Sequence, residues 1–385
     1  MARPITYSKG IRREVMLALG NTAVLPKKSI KHLPCNAEMI SRKLSIMQKE
    51  GVVGRYKNVY YQARALNERE EYYREMPVGY WEYAERYIEP ARSRIWNGPV
   101  EYDRIVKEAD TQLFVRSSGI DAYLEEKPPI KEVGMIRRGC AFYNSREIKQ
   151  FAPKNEHRKY DGSRINGCLI GESGIYPIYN IGSETIEWYK ATEERMKILF
   201  NRLGANMYRP MNVFADIILY SNPDKITNIL NKGMHLRNNV RYKYLQVDFL
   251  YEQMLAVPEN ESGKLLLKII STEGWENRIL DDFIQREQQS RYQTVSVACD
   301  GIETTDSGNT YILLFCIPDL NKLSLFSNRA RMENDKERFK VYCFEEQVGV
   351  IAKELGGYAH IYTVNLKEYY EQYMNDYNEY RKSFE

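Results

Sequence analysis

The chain has 385 residues, of which 43% are hydrophobic and 12% aromatic, which is typical of a globular protein with two or three domains. No stretch approaches the roughly 18 consecutive apolar residues of a membrane-spanning helix, and the N-terminus lacks the apolar segment of a secretory signal. We therefore exclude a membrane partner and predict a cytoplasmic protein.

The net charge of +4 is unevenly distributed along the chain. Residues 1–64 contain thirteen Lys and Arg against three Glu, a net charge of +10, which leaves −6 for the remaining residues. A basic segment on an otherwise acidic chain is expected of a protein that contacts phosphates. The charge by itself fits a solvated basic surface about as well as a phosphate-binding one. The residue pattern within the segment distinguishes the two.

The basic segment is predicted to form three helices followed by a β-hairpin. The predicted helices span 12–19, 27–33 and 37–50, and the predicted strands span 52–56 and 59–62. Asn36 is a suitable N-cap for the third helix, and Gly51 a suitable stop. Ile40, Leu44 and Met47 recur at helical spacing and should point inward. Three helices and a hairpin in this order predict a winged helix-turn-helix.

Residues 39–53, which read Met-Ile-Ser-Arg-Lys-Leu-Ser-Ile-Met-Gln-Lys-Glu-Gly-Val-Val, resemble the recognition helix and first wing strand of bacterial winged-helix DNA-binding domains. The resemblance covers about one sixth of the chain. It implies binding to double-stranded DNA, although the same fold is sometimes used for protein contacts, and this alternative stays open.

The predicted inward stripe assigns the opposite helix face to the major groove, where Arg, Ser and Gln side chains can bond base edges. The candidates for base contact are Ala37, Ser41, Arg42, Ser45 and Gln48. Cations around the helix are better placed for phosphates, which position a protein without reading sequence. The candidates for phosphate contact are Lys27, Lys28, Lys31, Lys49, Arg55 and Lys57, and Lys43 is a further candidate for DNA contact.

The whole chain is predicted to be a mixed α+β protein in four parts. These are the winged helix at 1–66, a helical connector at 67–129, a mixed α/β domain at 130–365 and a C-terminal helix at 366–385. Pro77, Pro90 and Pro99 are expected to divide the connector into short helices. Strands and helices alternate after residue 130, with antiparallel pieces and no internal sequence repeat.

Two segments of the α/β domain carry a second, more distant resemblance. Residues 163–170 and 176–183, the latter leading into a helix with Glu193, resemble the restriction-endonuclease-like domain of the winged-helix replication-relaxation proteins of plasmids and conjugative elements. That resemblance implies a strand pair carrying acidic residues that hold Mg²⁺ for DNA cleavage.

The acidic positions of that pattern are neutral in this chain. Asn166 stands where the pattern has Asp, and Tyr179 and Asn180 stand where further acids would be. Amide and phenol groups cannot balance the charge of the ion. We therefore predict an inactive nuclease-like domain without catalytic residues, metal or cofactor. If the domain were active, Asp161, Glu172 and Glu193 would be the remaining possible metal ligands.

The sequence thus predicts sequence-specific binding of double-stranded DNA, in replication initiation or DNA processing of a mobile element. One alternative is a transcriptional regulator whose α/β domain senses a ligand or a partner, and another is a metal-dependent nuclease. The expected partners are double-stranded DNA and, beyond it, a second copy of the chain or proteins of replication and transfer.

Overall fold

The structure is a computed structural model, and it describes most of the chain. The described residues are 10–63, 76–136, 138–153, 156, 159–182, 187–188, 190–205, 215–231, 243–244, 253–286, 292–293, 298–305 and 308–382. Over these residues the protein is mixed α and β, with two small sheets and two five-stranded sheets. None of the helices in this part of the chain is both long and apolar enough to span a membrane.

The N-terminal part combines short helices with a three-stranded antiparallel sheet. Its elements are α1 (Ile11–Thr22), β1 (Val24–Pro26), a 3-10 helix (Lys27–His32), α2 (Ala37–Lys49), β2 (Val53–Tyr56) and β3 (Val59–Gln62). Strand β3 lies in the middle of the sheet, between β1 and β2. The predicted third helix and the predicted hairpin are therefore both present, with ends shifted by one residue at most.

Two features of this region differ from the sequence prediction. The second predicted helix is a 3-10 helix, and strand β1 was not predicted at all. Val24 pairs with Tyr61 across the sheet, so this three-residue strand is stabilised by a partner remote in sequence. No period can be read from three residues, which is why the pattern gave no signal.

The apolar stripe of α2 packs inward as predicted. Ile40, Leu44 and Met47 are fully buried against Val15 and other side chains of α1, the sheet and the connector. The N-cap is also formed, because the Asn36 side chain accepts hydrogen bonds from two backbone amides of the first turn. The N-cap residue and the apolar spacing therefore determine both the start of α2 and its buried face.

The connector is helical, and Pro99 separates two of its helices as predicted, whereas Pro90 does not. Its elements are α3 (Tyr80–Tyr83), a π-helical turn (Ala84–Ile88), α4 (Glu89–Arg92), a 3-10 helix (Ser93–Trp96) and α5 (Pro99–Ser117). The helical path runs straight through Pro90, which lies in the first turn of α4, and Pro99 is the first residue of α5. Both places tolerate a missing amide hydrogen. The predicted boundary at 66–67 lies outside the described residues.

Helix α5 is the centre of the molecule. Residues 108–115 are buried over two consecutive turns, so the helix is enclosed on all sides rather than on one face. It contacts β1 and the Lys27–His32 helix on one side and strands of the first five-stranded sheet on the other. The connector therefore holds the N-terminal part directly against the α/β region.

The first five-stranded sheet lies between helices. Its elements in chain order are β4 (Cys140–Asn144), α6 (Ser145–Phe151), β5 (Gly167–Gly171), β6 (Gly174–Gly182), α7 (Lys190–Ala205), β8 (Ala215–Tyr220), α8 (Pro223–Asn231), β10 (Gln253–Pro258), α9 (Glu261–Ile270) and α10 (Trp275–Arg286). The short strands β7 (Glu187–Trp188) and β9 (Lys243–Tyr244) pair with each other. Strands β4, β5 and β6 are antiparallel, and β6, β8 and β10 are parallel.

The second five-stranded sheet follows the same plan. Its elements are β11 (Tyr292–Gln293), β12 (Gly301–Thr305), β13 (Gly308–Leu314), α11 (Leu320–Glu333), β14 (Phe339–Phe344), α12 (Val348–Leu355), β15 (His360–Val364) and α13 (Leu366–Lys382). Again the first three strands are antiparallel and the last three are parallel.

The α/β region is therefore a topological duplication. In both sheets the spatial order of the five strands is their chain order. Helices in corresponding positions pack on each other, α8 on α12 and α9 on α13. The sequence shows no repeat because packing needs only apolar residues at the right positions, which unrelated side chains can provide. The predicted α/β region thus contains two sheets with the same topology.

Both units share one core on each face of their sheets. One core includes Leu199 and Phe200 of α7 together with Phe326 of α11, and the other includes Leu266 of α9 and Tyr369 of α13. All six cysteines lie among the described residues, five of them buried, and none forms a disulfide.

Candidate nucleic-acid interface and a buried carboxyl cluster

Helix α2 lies at the surface, and the described residues leave its outer face exposed. Its exposed and half-exposed residues include all the predicted base-contact candidates, namely Ala37, Ser41, Arg42, Ser45 and Gln48, and the cations Lys43 and Lys49. Met39 and Ile46 are also about half exposed on this helix. The outer face therefore offers a cationic, hydroxyl-bearing surface with two apolar side chains.

The polar side chains of this face are bonded within the helix. Arg42 Nη2 lies 2.6 Å from Glu38 Oε1, and both side chains are about three-quarters exposed. The Ser41 and Ser45 hydroxyls donate to the carbonyls one turn earlier. Exposed bonds of this kind are worth little, about 0.3–0.5 kcal/mol for a helical ion pair, so a ligand could replace them at small cost.

The hairpin β2–β3 carries its two cations at the tip. Lys57 has a positive φ of 50° in the turn between the strands. Its ammonium lies 5.3 Å from the ring centre of Tyr56 and 4.7 Å from that of Tyr102. Arg55 and Lys57 are both exposed. The hairpin tip therefore carries positive charge, and the Lys57 ammonium lies against the rings of Tyr56 and Tyr102.

The 3-10 helix divides its three lysines between two environments. Lys27 and Lys31 are exposed. The ammonium of Lys28 instead forms an ion pair with Asp110 of α5 and lies 3.6 Å from Glu259, which directly follows β10. Lys28 is thus bound to the protein interior, although its side chain remains about half exposed.

Asp110 and Glu259 belong to a buried cluster that sequence reasoning missed. One ring nitrogen of His32 and one carboxyl oxygen each of Asp110 and Glu259 lie within 4.8 Å of one another, and all three residues are buried. The Ser29 hydroxyl donates to Asp110 Oδ1 at 2.5 Å. The cluster lies at the carboxyl end of the parallel strands, where open α/β sheets place ligands. No sequence motif could have found it, because its members lie far apart in the chain.

Burial and the neighbouring charges set the protonation of the cluster. Burial raises the pKa of Glu259 to about 8, and the hydrogen bond with Asp110 acts in the same direction. Burial alone would raise the pKa of Asp110, but the hydrogen bond from Glu259 and the Lys28 ammonium outweigh it and lower the pKa. Burial lowers the pKa of His32 to about 4. At neutral pH the cluster therefore contains a protonated Glu259, an ionised Asp110 and a neutral imidazole.

The nuclease-like positions do meet in space, and they meet beside this cluster. Asn166 Oδ1 accepts a 2.7 Å hydrogen bond from the backbone amide of Asn180, and the Asn180 amide group donates to Thr111 of α5 at 3.2 Å. Asn180 Nδ2 also lies 3.5 Å from Asp110. The two asparagines thus link strands β5 and β6 to α5.

The three carboxylates named as possible ligands do not form a metal-binding group among the described residues. Buried Glu193 accepts hydrogen bonds from Ser163, the Arg164 amide and Tyr179, so it fastens α7 to the β5–β6 region. Glu172 bonds the Gly139 amide and lies 3.3 Å from an Arg381 nitrogen. Asp161 lines a cavity of about 240 Å³ between the connector and α6.

Comparisons of this chain with protein-family models, with curated proteins and with solved structures yield no match. The geometry of the two sites described above therefore carries all that follows about function.

Proposed function

We propose that the protein binds double-stranded DNA through residues 10–63, folded as a winged helix-turn-helix. The main support is α2, a capped helix whose outer face is cationic and is left exposed by the described residues. The hairpin that follows it has Arg55 and Lys57 at its tip. The element order helix, strand, 3-10 helix, helix and hairpin supports this arrangement. An α-helix with such a face fits the major groove.

In this proposal α2 reads bases and the surrounding cations hold phosphates. Arg42 can exchange Glu38 for two acceptors of a guanine, and Met39 and Ile46 can contact thymine methyl groups. Lys27, Lys31, Lys49, Arg55 and Lys57 serve as phosphate contacts. Lys28 belongs with the buried cluster instead.

We further propose that the α/β region is a restriction-endonuclease-like scaffold that no longer cleaves DNA. Its strand order and the pairing of Asn166 with Asn180 support this proposal. The whole protein would then act in replication initiation or DNA processing of a mobile element, with the α/β region as the docking part.

The test is a titration of labelled duplex DNA with the full chain at several salt concentrations. With the five phosphate contacts named above, log K should fall against log salt with a slope of about −4.5. A variant with Lys31, Lys49 and Lys57 changed to Gln should lose about half of that slope. A control with three exposed lysines of other regions, Lys131, Lys336 and Lys367, changed to Gln should keep it.

A slope close to zero, or equal slopes for the two triple variants, would show that the basic face meets something other than duplex DNA. Selection of bound duplexes from a random pool then tests sequence specificity, since a reader of bases should enrich one motif.

A further inference from the structure

The buried cluster has the composition of a cation site. It brings together one imidazole nitrogen and two carboxyl oxygens within 4.8 Å, from three separate segments of the chain. His32 ends the 3-10 helix, Asp110 lies in the middle of α5, and Glu259 follows β10. Relative exposures are 7%, 0% and 9%, so water competes little for these groups.

The His32 imidazole is a second, independent observation that points to a ligand. His32 Nδ1 lies 3.4 Å from the Ser117 hydroxyl, whereas buried Nε2 has no hydrogen-bond partner among the described residues. A buried polar nitrogen without a partner costs about 1–3 kcal/mol. An imidazole lone pair directed at an ion would remove that cost.

When both of its carboxyls are ionised, the cluster can balance two positive charges. Two carboxyls face the single ammonium of Lys28, and the Lys28 side chain is 52% exposed. The Lys28 side chain can therefore rotate into solvent without a movement of the backbone. A divalent ion would balance the charge of both carboxylates. On binding, Glu259 would lose its proton to water and the Lys28 side chain would move outward.

We propose that His32, Asp110 and Glu259 bind one divalent transition-metal ion, of the class that includes Zn²⁺ and Mn²⁺. One imidazole and two carboxylates suit these ions better than Mg²⁺ or Ca²⁺, which prefer oxygen ligands alone. Ligands about 2.0–2.2 Å from an ion are at most roughly 4.4 Å apart, so atoms that already lie within 4.8 Å of one another need at most a small approach. The Ser29 and Asn180 side chains, which bond Asp110, would hold that carboxylate in place.

Such an ion would join the N-terminal part, the central helix and the first sheet at one point. It would also release Lys28 next to Lys27 and Lys31, where its charge adds to the basic surface. The binding step itself involves no DNA, so its test is separate from that of the proposed function.

The experiment is calorimetric titration of the chelator-treated full chain with Zn²⁺ and, separately, with Mn²⁺. We expect one ion per chain and a higher melting temperature for the loaded protein. His32→Gln and Glu259→Gln should each weaken binding at least tenfold. Lys28→Gln should strengthen it, because the competing ammonium is gone while all three ligands remain.

The matched control is the exposed pair His360 and Glu337, whose Nε2 and Oε1 atoms lie 2.9 Å apart. The double change His360→Gln and Glu337→Gln should leave the affinity unaltered. The inference is overturned by absence of saturable one-to-one binding of either ion, by binding lost only in the control, or by weaker binding in Lys28→Gln. If circular dichroism shows that the His32 or Glu259 variant does not fold, the wild-type stoichiometry and the direction of the Lys28→Gln effect still test the proposed site.

Discussion

Lys28 Nζ lies 3.6 Å from Glu259 Oε1, and the same ammonium is paired with Asp110. In the sequence, Lys28 is one of three similar lysines within five residues, all assigned to phosphate contact. All three lysines are exposed in the structure, but the Lys28 ammonium pairs with buried carboxyls.

This difference predicts unequal effects on DNA binding. In metal-free protein, Lys31→Ala should weaken binding and reduce the salt slope by about one, whereas Lys28→Ala should change the slope by much less. Anisotropy titrations of both variants at matched salt provide the comparison. Equal loss of slope would place the Lys28 ammonium on phosphate in the complex.

Arg42→Ala should weaken DNA binding by about 1–3 kcal/mol, which is roughly 5- to 150-fold in Kd. The residue is exposed, and among the described residues its side chain bonds Glu38, so the free energy of unfolding should change by less than about 0.5 kcal/mol. Arg202→Ala is the control, since Arg202 is also an exposed arginine near a glutamate. Unchanged affinity of a folded Arg42→Ala protein would remove this residue from the interface.

The protein should not cut DNA. If the α/β region is the proposed nuclease-like scaffold, Asn166 and Asn180 stand where it would need acids, and the nearby Asp110 and Glu259 are buried and face the Lys28 ammonium. Supercoiled plasmid incubated with Mg²⁺ or Mn²⁺ should stay supercoiled. Nicking that disappears in an Asp161→Ala, Glu172→Ala, Glu193→Ala triple variant, or in Glu259→Gln, would establish a nuclease and locate its site.

Asp216 in β8 should make stability depend on pH. It is buried, its Oδ2 lies 4.0 Å from Lys197, and burial raises its pKa to about 7. Because the folded pKa exceeds the unfolded value of 3.8, stability is full below about pH 4 and falls as pH rises to about 7.

Asp216→Asn removes this titration. The stability of the variant relative to wild type should therefore increase between pH 4 and pH 7, by up to about 4 kcal/mol, and then level off. Urea unfolding at pH 4.5, 6 and 8 measures the trend. A difference that is constant over this range would show that Asp216 titrates normally in the fold.

Gly263 in α9 should be intolerant of any side chain. An added Cβ would lie 1.7 Å from the Pro258 carbonyl oxygen, a backbone atom that cannot rotate away. Gly263→Ala should cost about 3 kcal/mol or more of unfolding free energy. Gly349 in α12 is the matched control, since an added Cβ meets nothing within 4 Å and alanine there should stabilise by about 0.5–1 kcal/mol. Equal effects at the two glycines would refute the close packing of α9 on the end of β10.

The sequence by itself determined the elements whose cause is local. Asn36 caps α2, and the stripe of Ile40, Leu44 and Met47 fixes its buried face. In each case the decisive groups lie within a few residues of one another. Periodicity and capping chemistry are therefore readable without knowing what the element packs against.

The tertiary structure decided what depends on distant partners. Strand β1 exists because β3 pairs with it, and Lys28 is drawn inward because α5 and the end of β10 meet beneath the 3-10 helix. The gathering of His32, Asp110 and Glu259 and the duplication of the two sheets have the same origin. Burial in a shared core brings these segments together, and a chain read residue by residue carries no record of which distant carboxyls and imidazoles will be left facing one another.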